Sequence, residues 1–129
     1  MTTSPREGQT DDELLHEFIQ LFNEERFFEA HEALEFLWRR EKGISRDFYH
    51  GLIQVAAAFV HLKKNHPSGA ETLLQKAKGY LRKYPTQYHG IPLKKLLENA
   101  QNCLRARTGF PTIALKSGKS RIDRGKKTG

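Results

Sequence analysis

Apolar residues recur at helical spacing through almost the whole chain, and this periodicity limits the fold more than any other feature. From Asp11 to Arg107, side chains such as Leu14, Phe18 and Leu21 return every three or four positions, the spacing at which residues share one face of an α-helix. No segment alternates apolar and polar residues with the period of two that marks a half-buried β-strand. The sequence therefore predicts an all-α, single-domain bundle of about five helices with short loops.

Capping and helix-breaking residues predict where these helices begin and end. Thr10 and Glu13 form a T-x-x-E capping box before the first helix. In the third helix, apolar side chains cover nearly the whole circumference, which predicts a central, buried position. The five predicted helices run from Asp11 to about Asn23, from Phe27 to Lys42, from Ser45 to about Lys64, from a Ser68–Glu71 capping box to Tyr84, and from Pro92 onward.

The net charge of +7 comes from 22 Lys and Arg against 15 Asp and Glu, and it is unevenly distributed. Residues 109–129 hold six Lys and Arg against Asp123, a net +5, and are interrupted by Gly and Pro. We therefore expect a flexible N-terminus over 1–10, a helical bundle over 11–108 and a disordered basic tail over 109–129. The tail is interpreted as a solvated appendage, with weak nucleic-acid contact as the alternative.

The rest of the composition indicates a protein of a reducing compartment. The longest apolar run is six residues, Val55 to Val60, far below the roughly 20 that span a bilayer. One cysteine, Cys103, excludes an internal disulfide and fits a reducing environment. We expect a cytoplasmic protein that does not contact membranes.

Polar residues on the inner faces of the second and third helices are the candidate site. His31, Glu35 and Trp38 share one face of the second helix, within its apolar stripe. Gln54 and His61 belong, together with His50, to a narrow polar stripe on the third. Burying an imidazole and a carboxylate costs several kcal/mol unless they are paired or bound, so this face invites a functional interpretation.

The same residues carry a family resemblance. His31-x-x-x-Glu35-x-x-Trp38 resembles the H-x-x-x-E-x-x-W/Y signature of the small helical proteins called domain of unknown function 309. Residues 28–32 and 51–58 look like that family's two most recognisable stretches, and the resemblance covers roughly 14–84. It implies an all-helical bundle, a bacterial, archaeal or plastid origin (hence the plastid stroma in a plant or alga), and a proposed metal-binding role for the motif.

Two interpretations of this face stay open. In one, His31, Glu35 and His61 ligate Zn²⁺ or Fe²⁺, Gln54 orients a ligand or water, and Trp38 forms the pocket wall. In the other, the residues form a hydrogen-bonded buried cluster, with His31 paired to Glu35 or Gln54. No motif assigns a reaction, so whether the protein is an enzyme is left open.

A helical interaction module is the alternative function. Asp47 through Pro85 resembles a tetratricopeptide hairpin, which could receive a peptide, a partner helix or a second copy of the chain. Phe36 falls on the polar side of the second helix and is a candidate exposed contact.

Overall fold

Five α-helices make up most of the structure, a computed structural model that describes residues 5–107 and 109–115. The all-α prediction is confirmed. A 3₁₀ helix, Pro5–Gly8, comes first, and a two-stranded antiparallel sheet precedes the last helix. The elements are α1 (Asp11–Asn23), α2 (Phe27–Arg40), α3 (Arg46–Lys63), α4 (Pro67–Leu81), β1 (Gln87–Tyr88), β2 (Ile91–Pro92) and α5 (Leu93–Ala106).

The predicted capping boxes have different outcomes. At α1, Glu13 donates its backbone N–H to Thr10 Oγ1 at 3.0 Å, and Thr10 donates its own to Glu13 Oε1 at 2.9 Å, so this box is confirmed. At α4 the prediction is wrong, because the helix begins at Pro67 and Ser68 already lies inside its first turn. Proline suits that first position because its missing N–H would have no helical partner.

The third helix, α3, is central, as its apolar circumference predicts. It packs against α2 on one side and α4 on the other, and its buried residues include Phe48, Leu52 and Phe59. Gly51 permits a close approach to α4: an added Cβ would lie 2.5 Å from Leu81 Cγ. The α3–α4 interface is therefore closer than any larger side chain at Gly51 would allow.

A tight hairpin connects α4 to α5. Its turn residues His89 and Gly90 have φ of 50° and 78°, the pair of positive values found in type I′ turns. Tyr88 packs edge-on against Phe48 with ring centroids 4.7 Å apart, which attaches the hairpin to α3. Each strand has two residues, too few for alternation to appear in the sequence.

Residues 109–115 differ from the predicted tail because they pack on the bundle. The Phe110 ring lies 5.1 Å from that of Phe27 and 5.5 Å from that of Phe59. Asn23 donates its side-chain amide to the Ile113 carbonyl at 3.0 Å and accepts the Ile113 N–H at 2.7 Å. The folded body thus continues beyond the predicted boundary at residue 108, while 116–129 lie outside the described residues.

Residues 5–10, expected to be flexible, contact the bundle. Arg6 Nη2 lies 3.1 Å from Glu17 Oε2, and Arg40 Nη2 donates to the Gln9 carbonyl at 2.7 Å. Residues 1–4 of the predicted flexible segment lie outside the described residues.

Candidate functional site

The three candidate residues of α2 lie at the edge of its buried stripe. The buried positions of this helix include Ala30, Leu34 and Leu37, whereas His31, Glu35 and Trp38 are half-buried. The expectation that they lie within the apolar stripe is therefore corrected, because they border it. Glu35 has a third of its side chain exposed and pairs with Arg39 at 3.4 Å, one turn further along the helix. Its carboxylate is satisfied at the surface, so its burial costs little.

His50 of α3 is the centre of the best-defined cluster at this face. Its ring lies between those of Trp38 from α2 and Tyr80 from α4, with centroids 4.7 Å and 4.3 Å away. The Arg46 guanidinium covers the Trp38 ring at 4.5 Å. Three helices therefore contribute to one aromatic stack, with a cation at its end.

The protonation of His50 follows from its neighbours. Gln54 Nε2 lies 3.3 Å from His50 Nε2, and because an amide N–H only donates, the imidazole nitrogen accepts and the ring is neutral. Burial lowers the pKa of His50, with Arg46 and Lys76 acting in the same direction and Asp47 opposing them. The cluster therefore holds a neutral histidine whose Nε2 is occupied.

His61 lies near the end of α3, against the first turn of α4. An added Cβ on Gly69 would lie 2.8 Å from His61 Nδ1, so the glycine makes room for the imidazole. The neighbouring His66 ring is 6.0 Å away. His61 Nδ1 is covered by protein and has no hydrogen-bond partner among the described residues.

His31 has the same unpartnered nitrogen. Its Nδ1 is also covered and without a partner within the described part of the chain. The ring lies nearly parallel to that of Phe28, with an interplanar angle of 8° and centroids 6.3 Å apart. Covered polar atoms are almost always hydrogen-bonded, which makes the two imidazole nitrogens the unusual feature of this face.

The structure brings some predicted residues together and leaves others apart. Trp38 and Gln54 meet through their shared contact with His50. Within residues 5–107 and 109–115, no three His, Cys, Asp or Glu side chains form a group that could hold a metal ion. His31, Glu35 and His61 are therefore not assembled as the three-ligand set expected from the sequence.

Sequence reasoning missed the importance of His50 and Tyr80. A signal for His50 existed, since it shares the polar stripe of α3 with Gln54 four residues later. Tyr80 belongs to the helical spacing of the fourth predicted helix, but its position opposite His50 depends on how α3 and α4 are offset along their axes.

Two further observations concern the Cys103 thiol and the length and apolarity of the helices. Burial raises the pKa of the Cys103 thiol, which keeps it protonated and favours a packing role over nucleophilic attack. Within the described residues, no helix combines the length and apolarity needed to cross a bilayer.

The comparisons with known proteins concern the segment that contains this face. No curated protein matches the chain. The model of one family, described as a domain of unknown function (DUF309), matches residues 15–73, from α1 into α4. That span includes every candidate site residue of α2 and α3 and lies within the 14–84 expected from the motif. Residues 15–73 of this chain are therefore similar to the DUF309 family, as the motif led us to expect.

Proposed function

We propose that the protein binds a small polar molecule at the histidine face, the surface formed by His31, Trp38, His50, Gln54 and His61. The observation that supports the proposal most directly is the pair of covered, unpartnered Nδ1 atoms of His31 and His61. An imidazole nitrogen donates or accepts, depending on its tautomer, so each atom can hydrogen-bond a hydroxyl or carboxylate group of a ligand that displaces the side chains covering it.

The other residues supply the rest of a binding surface. Trp38 and Tyr80 present aromatic rings on either side of His50, suited to the apolar part of a ligand. Gln54 is held by its hydrogen bond to His50 and has its amide oxygen left to accept a further hydrogen bond. We assign His31 and His61 to ligand hydrogen bonding, Trp38 to the wall and Gln54 to orientation.

Thermal unfolding with a panel of small carboxylates, polyols and nucleosides tests this proposal. A ligand at about 100 times its Kd stabilises the folded state by about 2.7 kcal/mol, which raises Tm by several degrees. We expect His31→Phe and His61→Phe to abolish that rise and His16→Phe, an exposed control on α1, to retain it. A panel that leaves Tm unchanged, or a rise that survives both site variants, contradicts the proposal.

Metal titration separates this proposal from the Zn²⁺ or Fe²⁺ site expected from the sequence. Calorimetry of metal-free protein with Zn²⁺ should give no stoichiometric binding that depends on His31, because the three predicted ligands are not grouped. One Zn²⁺ per chain in the wild type, lost in His31→Ala, would replace the small-molecule proposal with the metal site.

A second candidate is a protein-binding module, here a homodimer, and one observation favours it. Phe28 on α2 is 58% exposed and stacks beside His31, whereas Phe36, the expected contact, is half-buried. Sedimentation of the wild type should then show a concentration-dependent dimer that Phe28→Ser weakens. Ile44→Ser is the matched control, since Ile44 is also exposed but lies in the α2–α3 loop. A monomer at every concentration contradicts this candidate.

A further inference from the structure

The two halves of the folded body carry opposite charge. Residues 1–66 hold eight Lys and Arg against twelve Asp and Glu, a net −4. Residues 67–107, which form α4, the hairpin and α5, hold eight Lys and Arg against Glu71 and Glu98, a net +6. The net charge of the folded body is close to zero because these two charges largely cancel. The α4–α5 half is nevertheless basic, and it attracts anions.

Several of these basic residues line a groove between α4 and α5. It has a volume of about 600 Å³, and four of the residues lining it are basic: Lys78 from α4, Arg82 at the C-cap of α4, and Lys94 and Arg105 from α5. Gln101 and Asn102 add amide groups to the lining. The groove thus combines cations with hydrogen-bonding groups, as phosphate-binding surfaces do.

Carboxylates neutralise little of this charge. Of the basic residues in 67–107, only Lys83 has an ion-pair partner among the described residues, the Asp47 carboxylate at 2.5 Å. Lys78 donates to Gln101 Oε1 at 2.9 Å and Arg105 to Asn102 Oδ1 at 3.3 Å. Neutral amides therefore hold two cations of the groove in place without cancelling their charge.

A second groove extends this surface towards the C-terminal segment. It shares Lys94 and Glu98 with the first, adds Lys95, and reaches Thr112 and Ala114. The two grooves therefore meet at Lys94 and Glu98.

We propose that the α4–α5 groove binds the phosphodiester backbone of a single-stranded nucleic acid. A positively charged groove is the kind of surface that follows the backbone of single-stranded nucleic acids. A lipid surface fits less well, because membrane-surface helices pair basic with apolar side chains. The exposed large apolar residues of the described chain, Phe28 and Ile44, both lie outside α4 and α5.

Fluorescence anisotropy of the full chain with a labelled single-stranded RNA oligonucleotide tests the proposal across a salt series. We expect the double variant Arg82→Glu/Lys94→Glu to weaken binding at least tenfold at low salt. Its plot of log K against log salt should be shallower by about 1.4, since each phosphate contact on a single strand contributes about 0.7 to the slope.

Two further variants distinguish binding in a specific groove from attraction by the overall charge. Lys42→Glu/Lys64→Glu changes the net charge equally at exposed sites in the acidic half and should leave the affinity within about twofold of wild type. Glu98→Gln removes the carboxylate that lines both grooves and should tighten binding, a gain that misfolding does not produce. Equal weakening by both double variants overturns the proposal, as does tighter binding of a duplex or retention only by phosphatidylserine vesicles.

Discussion

At the scale of single residues, His50 has the most connections at the histidine face. It stacks between Trp38 and Tyr80 and accepts from Gln54, so it links α2, α3 and α4 through one neutral ring. His31 and His61 differ, because each keeps a covered nitrogen with no partner among the described residues. We assign His50 to holding the helices together and the other two to meeting a ligand.

The neutral His50 ring makes stability depend on pH. Because burial lowers its pKa below 6.5, the folded protein takes up this proton less readily than the unfolded chain does. Its contribution is complete above pH 6.5 and is lost as the pH falls from 6.5 through the lower folded-state pKa. Urea unfolding above and below pH 6.5 should show that the free energy of unfolding falls less on acidification for His50→Gln than for the wild type.

That variant retains the other five of the six histidines, so the difference between the two proteins isolates His50. If the free energy of unfolding falls equally on acidification in both proteins, protonation of His50 does not affect folding.

At the scale of elements, the α3–α4 contact determines where the site residues meet. Gly51 allows this contact, because a Cβ there would lie 2.5 Å from Leu81 Cγ and 3.2 Å from Tyr80 Cβ. Gly51→Ala should therefore separate the helices and destabilise the protein by about 1–3 kcal/mol. Urea unfolding measures this loss.

Gly79 in the same helix pair is the matched control. An added Cβ there meets nothing within 4 Å, so Gly79→Ala should stabilise α4 by about 0.5–1 kcal/mol. Equal effects of the two alanines would mean that helix propensity rather than close packing determines the outcome at Gly51.

The sequence predicted the elements far better than their contacts. The apolar period and the Thr10–Glu13 box identified five helices, with α1 and α3 beginning where expected. Only part of the site could be predicted. Gln54 and Trp38 lie on helix faces that the residue spacing identifies, whereas the approach of Tyr80 to His50 depends on how two helices are offset along their axes. The Ser68–Glu71 capping box was predicted wrongly for a local reason, because the preceding proline already begins the helix.

At the scale of the whole molecule, the C-terminal extension of the body closes the aromatic core. Ile113 is buried, and Asn23 holds its backbone through two hydrogen bonds. Ile113→Ala should cost about 2–4 kcal/mol through lost burial and the cavity left behind. Thermal or urea unfolding measures it.

Thr112→Ala, at the exposed neighbour, should stay within about 0.5 kcal/mol of wild type. A negligible cost at Ile113 would contradict the packing of residues 109–115 on the bundle and would restore the boundary predicted from the sequence.

Histidine-selective ¹⁵N NMR during titration with the stabilising compound shows most directly whether His31 and His61 hold a ligand. We expect the Nδ1 resonances of both residues to move and saturate together. His16 serves as an internal control, since its Nδ1 lies 2.8 Å from the Asp12 carbonyl, within hydrogen-bond distance, and its resonance should not move. Nδ1 resonances of His31 and His61 that shift no more than that of His16 would contradict ligand binding by these two histidines.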